Sequence, residues 1–527
     1  MNIPLHPISN IYLFVSEVAK KSPRNIALMS CSSDGSLLET LSYEALLEKM
    51  ERALHYLQTL GLKEKDCIAL AFTNSIDLLI LSWSAWSMGI ITIPLDTKND
   101  IGELYAYKIR ITQSKYLIVQ EKIQKSIDQA SIEGVRIEIF SGFLYRSEKE
   151  LPILQKNPDH IALILFTSGT TGHPKGAQLS LQNLIVNADG IRRWFDIRDT
   201  DRFLVNLPLH HINSTTFCLS ILLSGGSIAI PPTYSSSNFW NQVSKTQSTI
   251  TSIVQSIVYD QLVRESEFMH VKNDILLNRI QIGSAPVIAH SALEFEDTYH
   301  IPLYQGYGQT ETALRVTGVP LSLSSALHKK IVEENSIGIS MPWADVQIAS
   351  NTGEHLGENE EGELIVRGDA VMRGYVGKEP AFQNGYFLTG DIGYFKIIDK
   401  KKFFFLKGRK KEIIIKGGVN ISPTAVENRL KKVSVDIDQV YVIGVVDDRY
   451  GEEVAAIICW KKHVDTDQAF KKLKKNILSH TPLIGAYEAP KYLLSLSPEK
   501  LPRTSTGKVQ RMILKKQFSR EKFEYIQ

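Results

Sequence analysis

Cysteine is scarce in this sequence, and its placement excludes two classes of cross-linked domain. The chain has four cysteines in 527 residues. They lie far apart and form no Cys-X-X-Cys pair, so the sequence predicts neither a disulfide framework nor a cysteine-based metal site. Reduced thiols are typical of cytoplasmic proteins, and we therefore expect a cytoplasmic location. The cysteines are Cys31, Cys67, Cys218 and Cys459.

Targeting signals and long apolar runs are also missing. The first residues, MNIPLHPISN, contain prolines and no basic cluster, so no cleavable signal is expected, and the final residues are not a peroxisomal SKL signal. The stretch Leu78–Leu95 carries no charge but contains serines, Gly89 and Pro94. We read it as a buried helix to Met88 and a strand over Ile90–Ile93, not as a transmembrane segment.

The chain has no large excess of positive or negative charge: its net charge is +3, with 22% charged and 43% hydrophobic residues. This composition is typical of a globular protein, and the length predicts at least two domains. The sequence from Gly408 onward is net basic, whereas the preceding part is net acidic. The lysines of Lys471–Lys475 lack interleaved aromatics and fit one face of a helix, so we expect no nucleic-acid partner.

Helix and strand signals alternate along the chain, which predicts an α/β architecture. Ser42 is a candidate cap for a helix that runs to Leu60. Other expectations are strands over Cys67–Phe72, Ile161–Phe166, Ser227–Ile230, Gly362–Arg367, Phe403–Leu406 and Ile413–Ile415, and a charged break at Lys407–Glu412.

The segment Leu165–Leu179, LFTSGTTGHPKGAQL, has the composition of a phosphate-binding loop. Its glycines allow backbone N–H groups to approach an anion, its hydroxyls donate hydrogen bonds, and Lys175 adds a positive charge. A flexible linker is the alternative, although a linker rarely follows so apolar a strand. The loop differs from the GxxxxGK[ST] pattern because Ala177 follows Lys175-Gly176. Its predicted phosphate-binding residues are Thr167, Ser168, Gly169, Thr170, Thr171, Gly172 and Lys175.

Six motifs in order along the chain resemble those of the adenylate-forming superfamily, which includes acyl-CoA synthetases. They are TSGTTGHPKG, Gly283-Ser284-Ala285-Pro286, GYGQTE at Gly306–Glu311, YFLTGD at Tyr386–Asp391, the run Gly408–Glu427, and PRTSTGK at Pro502–Lys508. The resemblance covers nearly the whole chain. It implies a large N-terminal α/β domain of several subdomains, residues 1–407, and a small mobile α+β C-terminal domain, residues 408–527, which rotates about a hinge at Lys411.

The resemblance also implies roles for individual residues. The nucleotide would contact Gly283, Ser284, Ala285 and Pro286 on its adenine side, Gly306, Tyr307 and Gly308 in the central turn, and Asp391 and Arg409 at the ribose. Thr310 would contact the α-phosphate, and Glu311 would bind Mg²⁺, which suits a carboxylate beside phosphates. Lys508 would bridge carboxylate and α-phosphate, Gly417 and Gly418 would line the pantetheine tunnel, and His211 would gate the acyl pocket.

Plainer interpretations exist for several of these residues. Tyr307 could be a core aromatic, Asp391 a turn cap, and Lys508 a solvated loop lysine; the ordered motifs favour the functional interpretation of each. His210 stands where the family usually has an aromatic residue. The tandem histidines His210-His211 indicate a metal only weakly, because no third ligand is evident nearby in the sequence.

The sequence therefore predicts an ATP- and Mg²⁺-dependent carboxylate–CoA ligase that forms acyl-AMP and then transfers the acyl group to CoA. One alternative is an acyl-AMP ligase that loads an acyl carrier protein, and another is an inactive nucleotide-binding scaffold. Two segments, Leu209–Phe217 and Gln281–Ala285, are expected to line the acyl pocket, and neither contains a charged residue. We therefore expect an acid with a neutral, fatty or aryl body, unless a charged group from another loop enters the pocket.

Overall fold

The protein is described by a computed structural model, in which residues 8–98, 100, 103–126, 134–143, 150–167, 174–284, 287–378, 382–417, 419–479, 487–504 and 507–526 are placed. Helices and strands are numbered in chain order. The α-helices are α1 (Ile11–Lys21), α2 (Tyr43–Thr59), α3 (Ile76–Ser87), α4 (Glu103–Ile111), α5 (Leu181–Trp194), α6 (Ile212–Ser224), α7 (Phe239–Thr246), α8 (Gln255–Leu262), α9 (Glu265–Val271), α10 (Ala289–Tyr299), α11 (Ser325–Glu333), α12 (Pro423–Val433), α13 (Thr466–Leu478) and α14 (Arg511–Gln517).

The largest sheet is mixed. Its central strands are parallel to one another, and the strands towards both ends of the sheet pair in antiparallel fashion. In spatial order it contains β16 (Asp345–Ala349), β17 (Gly362–Arg367), β20 (Tyr386–Ile398), β21 (Lys401–Arg409), β15 (Ser336–Ser340), β14 (Thr317–Gly318), β13 (Leu303–Tyr307), β12 (Arg279–Gly283), β11 (Ile250–Ile253), β9 (Arg202–Leu204), β10 (Ser227–Ile230), β1 (Ile26–Cys31) and β2 (Leu37–Ser42), and β19 (Phe382–Gln383) pairs with β20.

A second sheet carries the predicted phosphate loop between two of its strands. Its order is β18 (Gly374–Tyr375), β8 (Lys175–Ser180), β7 (Ile161–Thr167), β4 (Ile91–Pro94), β3 (Cys67–Ala71), β5 (Tyr116–Gln120) and β6 (Arg136–Phe140). Strands β7 and β8 are antiparallel, with Thr167 opposite Lys175, so the two ends of the loop are held side by side.

The third sheet contains the strands that follow Arg409. It comprises β23 (Val419–Ile421), β22 (Ile414–Lys416), β25 (Gly451–Trp460), β26 (Tyr492–Ser495) and β27 (Glu524–Tyr525), and β24 (Ile437–Asp447) pairs with β25. Its hydrophobic core includes side chains of α12 and α13. The 3₁₀ turns of the chain are Glu121–Ser126, Lys272–Asp274, Thr310–Thr312, Pro498–Lys500 and Arg520–Lys522.

Local sequence signals explain several boundaries. The Ser42 hydroxyl accepts a hydrogen bond from the Ala45 backbone N–H at 3.2 Å and caps α2, as predicted. Helix α3 ends just before Gly89, whose φ of +74° suits glycine, and β4 follows. Nearly every residue of α3 is buried. Within the described residues, no helix combines the length and the apolar character that crossing a membrane requires.

Candidate active site

The predicted ribose-binding residue Asp391 lies in a dense hydrogen-bond network. Its Oδ2 accepts hydrogen bonds from the Tyr307 hydroxyl at 2.6 Å and from Gln309 Nε2 at 2.7 Å. Its Oδ1 forms an ion pair with Arg409 Nε at 2.8 Å, because Asp391 and Arg409 face each other across β20 and β21. Burial and the Asp391 charge raise the pKa of Tyr307 well above its usual range. The network fixes a carboxylate whose two acceptor oxygens suit a vicinal diol.

Glu311 is buried in the 3₁₀ turn Thr310–Thr312, close to the end of the predicted phosphate loop. Its Oε1 accepts a hydrogen bond from the Tyr375 hydroxyl at 2.8 Å and lies 3.4 Å from Thr167 Oγ1. The Lys175 Nζ lies 5.0 Å from the centre of the Tyr375 ring. The structure thus brings Thr167, Lys175 and Glu311 together. The oxygen atoms of Thr167 and Glu311 fit a magnesium ion held beside phosphates, and the Lys175 ammonium fits the phosphates themselves. The remaining predicted loop residues, Ser168, Gly169, Thr170, Thr171 and Gly172, lie outside the described residues.

The turn that carries Tyr307 and Glu311 is unusually tight. A Cβ on Gly308 would lie 1.3 Å from the Leu314 carbonyl oxygen, so only glycine fits. Ala313 and Leu314 have φ values of +51° and +124°, which are strained for residues other than glycine. The Gln309 backbone N–H donates to Thr312 Oγ1 at 3.0 Å and helps to hold the turn. This strain fixes Glu311 and the residues that follow it relative to β13.

Lys508 lies within the electrostatic influence of Asp391 and Arg409, although it belongs to the last part of the chain. Its loop is closed by the Thr504 backbone N–H, which donates to the Lys508 carbonyl at 2.8 Å. Burial lowers the pKa of Lys508, and the charge of Arg409 lowers it further, whereas Glu412 and Asp391 act in the opposite direction. The loop docks on α8, since a Cβ on Gly507 would lie 2.8 Å from Ser256 Oγ. The third sheet and its loops therefore place a partly desolvated cation under the electrostatic influence of two predicted nucleotide-binding residues, Asp391 and Arg409.

The tandem histidines have a third neighbour that sequence reasoning missed. His210 Nε2 lies 3.6 Å from Asp96 Oδ2, and the two imidazole rings are 4.6 Å apart. No third ligand is evident near the histidines in sequence, but one lies near them in space: ligand atoms of Asp96, His210 and His211 lie within 4.8 Å of one another. Asp96 follows β4 and is distant in sequence, so only the fold reveals it. Burial and His210 lower the pKa of His211 to about 3, so His211 is neutral at physiological pH.

Two other predicted sites are only partly described. Ser284 has a φ of +62°, and its Oγ lies 3.3 Å from Asn213 Nδ2; Ala285 and Pro286 lie outside the described residues. Gly417, at φ +53°, lies beside Tyr487, whose hydroxyl would be 2.6 Å from an added Cβ. Gly418 lies outside the described residues. The contacts of Gly417 are thus with the C-terminal part of the chain.

Three other residues escaped the sequence reasoning. Gln309 lies within the GYGQTE motif but was given no role, and Tyr375 enters the site because β18 pairs with β8. Arg315 follows the same motif by four residues and is fully buried behind Gly283 and Gly306. Its charge and its position close to a recognised motif were the only sequence features that could have pointed to Arg315.

Comparison with known proteins agrees with these motifs. The chain is similar to a probable CoA ligase from Humulus lupulus (28% identity, 91% of both chains). It is also similar to a long-chain-fatty-acid–CoA ligase from Mycobacterium tuberculosis (26% identity, 97% of this chain and 99% of that protein). A 2-succinylbenzoate–CoA ligase from Listeria monocytogenes shares 27% identity over 91% of this chain and 95% of that protein.

Solved structures confirm the predicted fold class. ATP-bound MatB from Rhodopseudomonas palustris superposes with a TM-score of 0.84 at 22% identity, covering 97% of this chain and 98% of that chain. The o-succinylbenzoate CoA synthetase of Bacillus subtilis, in complex with its acyl-adenylate intermediate, gives a TM-score of 0.79 at 23% identity, covering 95% and 97%. The family model for AMP-binding enzymes matches residues 15–376. The chain therefore belongs to the AMP-binding enzyme family.

Proposed function

We propose that the chain is an ATP-dependent carboxylate–CoA ligase. In its first half-reaction a carboxylate attacks the α-phosphorus of ATP and pyrophosphate leaves, which gives acyl-AMP. In the second the thiol of CoA attacks the acyl carbon and AMP leaves. The observation that carries the proposal is the network in which Tyr307 and Arg409 hold Asp391, with the charges of Asp391 and Arg409 acting on Lys508 from the first sheet. The CoA-ligase names of relatives that match almost end to end support CoA as the acceptor.

The chain's own residues divide the work of the first half-reaction. Asp391 would hold the ribose diol, Tyr307 would lie against adenine, and Lys175 with the phosphate loop and Thr310 would bind phosphate oxygens. Glu311 would bind Mg²⁺, which supplies positive charge to the phosphates when it is bound. These groups position the nucleotide and stabilise charge, which is how proteins accelerate such transfers.

Lys508 addresses the main electrostatic obstacle. The attacking carboxylate and the α-phosphate are both anionic, and two unit charges about 4 Å apart repel by about 4 kcal/mol at an effective dielectric constant of about 20. A lysine ammonium between them offsets this repulsion and donates hydrogen bonds to both. The partly desolvated position of Lys508 strengthens that effect because water screens its charge less.

The second half-reaction requires the C-terminal part to move, and we propose the boundary at residues 407 and 408 with Lys411 as the hinge. Lys411 is exposed in the turn between β21 and β22, where the chain leaves the first sheet for the third. Rotation there would withdraw Lys508 and bring Gly417 and Gly418 towards the pantetheine arm of CoA. We also propose that His211, neutral at physiological pH, lines the entrance of the acyl pocket, and that the enzyme acts in the cytoplasm.

Two other functions fit the family less well. An acyl-AMP ligase that loads a carrier protein would share every residue of the first half-reaction, and only the acceptor distinguishes it. An inactive scaffold would have no use for a lysine brought to the nucleotide residues from a separate sheet. The intact set of Lys175, Glu311, Asp391, Arg409 and Lys508 therefore favours an enzyme.

The test is pyrophosphate release over a panel of carboxylic acids, with acyl-CoA measured alongside. Lys508→Ala is expected to reduce pyrophosphate release at least a hundredfold, while the conversion of supplied acyl-AMP and CoA to acyl-CoA persists. Lys516→Ala, an exposed lysine on α14, is the matched control and is expected to behave like the native chain.

Three outcomes separate the candidates. Pyrophosphate release without acyl-CoA, rescued by a phosphopantetheinyl carrier, identifies the acyl-AMP ligase. No acid-dependent pyrophosphate release with any member of the panel identifies the scaffold. An equal loss of both half-reactions in a folded Lys508→Ala protein removes Lys508 from the proposed role.

A further inference from the structure

Arg315 is a fully buried guanidinium group whose hydrogen-bonding capacity is mostly unused. Its exposed fraction is 0%. Nη2 donates to Gln281 Oε1 at 2.8 Å, whereas Nε and Nη1 have no hydrogen-bond partner among the described residues. Burial lowers the pKa of Arg315 well below its usual range, and no nearby carboxylate counteracts it. A charge left unpaired in this way is costly unless something else completes its environment.

Three other buried or nearly buried cations of the described chain have carboxylate partners. Lys108 pairs with Asp100 at 2.6 Å, and Lys416 pairs with Glu453 at 2.5 Å. Arg511 pairs with Glu427 at 2.6 Å. The fold can therefore provide a counter-charge for a buried cation, and the absence of a carboxylate partner for Arg315 among the described residues points to a counter-charge from outside the chain.

The side chain of Arg315 crosses the ends of β12 and β13, where two glycines make room for it. A Cβ on Gly306 would lie 2.9 Å from Arg315 Cδ, and a Cβ on Gly283 would lie 3.0 Å from Nη2. Gly283 and Gly306 are register partners, and both begin motifs of the candidate active site. Any side chain at either position would occupy the space that the arginine uses.

The guanidinium lies against both segments that were expected to line the acyl pocket. Gln281 belongs to one of them, and its Oε1 accepts from Arg315 Nη2 and lies 3.4 Å from Nδ2 of Asn213, which belongs to the other. Asn213 is buried, and its Oδ1 also lacks a hydrogen-bond partner among the described residues. Arg315 and Asn213 thus meet at one oxygen between the two segments, and each side chain keeps at least one further polar atom unused.

The backbone holds Arg315 firmly in this direction. Its N–H donates to Asn187 Oδ1 at 3.1 Å, and its carbonyl accepts from Asn187 Nδ2 at 2.8 Å and from Trp343 Nε1 at 3.2 Å. The strained Leu314 precedes it. Arg315 is therefore a preorganised donor and not a surface side chain that happens to fold inward.

We infer that Arg315 binds a second anionic group, a carboxylate or a sulfonate, on the acid that the enzyme activates. The unused N–H groups of Nε and Nη1 would donate charge-assisted hydrogen bonds to that anion. This inference rests on the proposed function and names its substrate class. It replaces the expected neutral acid body, because Arg315 lies outside Leu209–Phe217 and Gln281–Ala285 in sequence but against them in space. The carboxylate that attacks ATP is a different group of the same acid, and it would be bound by Lys508.

The experiment compares monoacids and diacids of equal length, for example octanoate with octanedioate and butanoate with butanedioate, by kcat/KM for pyrophosphate release. Native enzyme is expected to prefer the diacid roughly ten- to a hundredfold at its best length, as one charged hydrogen-bonded pair permits. Arg315→Gln is expected to bring the diacid-to-monoacid ratio of kcat/KM to about one. Arg279→Gln is the matched control: Arg279 lies on β12, as Gln281 does, but it is paired with Asp201 at 2.9 Å, and its loss should leave the preference unchanged.

Each outcome decides one question. A native preference for the monoacid at every length overturns the inference, even if Arg315→Gln fails to fold, and leaves the proposed function intact. A preference for the diacid that survives in folded Arg315→Gln overturns it as well. No pyrophosphate release with any acid overturns the proposed function itself. Diacid-induced thermal stabilisation of the native chain, lost in Arg315→Gln but kept in Arg279→Gln, supports the inference without turnover.

Discussion

Arg315 and Arg511 are both buried guanidinium groups, one in the large mixed sheet region and one in the C-terminal region. Arg511 pairs with Glu427 at 2.6 Å and with Glu412 at 3.3 Å, and these carboxylates raise its pKa. Arg315 has no ion pair among the described residues, and burial alone lowers its pKa. The counter-charge of Arg511 comes from its own chain, which indicates a structural role. We infer that the counter-charge of Arg315 comes from a bound ligand.

Glu427→Gln should have the largest effect, because it leaves Arg511 with only its more distant partner, Glu412. Breaking a buried pair from one side costs about 3–5 kcal/mol, so the free energy of unfolding of the C-terminal region should fall by that amount in urea denaturation. Glu521→Gln changes an exposed glutamate near α14 and is the control. A loss below about 1 kcal/mol for Glu427→Gln would show that Arg511 does not depend on Glu427.

Gly306→Ala tests the space that Arg315 occupies. The new Cβ would lie 2.9 Å from Arg315 Cδ and 3.1 Å from Trp194 Cη2. Overpacking of this kind costs about 1–3 kcal/mol, and the displaced guanidinium should lower the octanedioate-to-octanoate ratio several-fold. Gly357→Ala, which meets only the flexible Glu360 side chain, should change neither quantity. An unchanged ratio in a destabilised Gly306→Ala protein would separate Arg315 from substrate selection.

Lys508 offers a titratable comparison with the two arginines. Its pKa is lowered, so its ammonium loses its proton at a lower pH than an exposed lysine does. The positive charge needed for adenylation is present below that pKa and is lost as the pH rises through it. We expect kcat/KM for pyrophosphate release to fall about tenfold per pH unit on this alkaline limb. Acyl-CoA formation from supplied acyl-AMP should not show this alkaline decrease. If both half-reactions show it, the titrating group is not Lys508.

Arg315→Gln should have the smallest effect on stability, although Arg315 is the more deeply buried arginine. Removing an unpaired buried charge removes its desolvation penalty along with its single hydrogen bond. The free energy of unfolding should therefore stay within about 1 kcal/mol of the native value or increase. A loss as large as that of Glu427→Gln would mean that Arg315 is a structural residue like Arg511.

Sequence reasoning predicted the parts of the fold that local signals determine. The Ser42 cap, the Gly89 stop and strands β7, β10 and β17 appear where capping residues, glycine and apolar runs predict them. The charged break expected from Lys407 begins later, because β21 continues to Arg409. Pairing between Asp391 and Arg409 extends β21 to Arg409. The charged residues near Lys407 do not reveal this pairing, because Asp391 is distant in sequence.

The predicted site residues likewise lie in local sequence motifs, whereas the missed ones reach the site through long-range packing. Tyr307, Glu311 and Asp391 lie inside contiguous motifs, so their identity could be predicted without the fold. Tyr375 and Asp96 reach the site through long-range packing, which no local pattern encodes. The domain boundary and the individual residue roles stay predictions that the half-reaction experiments address.

The contact between Gly308 and the Leu314 carbonyl oxygen has a consequence for engineering and for divergence within the family. Residues 308 to 314 form one closely packed unit, because Gly308 lies against the Leu314 carbonyl oxygen, so the turn that places Glu311 is coupled to the direction of Arg315. The side chain at position 315 can vary, however, because it projects beyond that unit towards Gln281. A new acid specificity should therefore be sought by replacing residue 315 together with its neighbour Asn213, while the whole turn is retained.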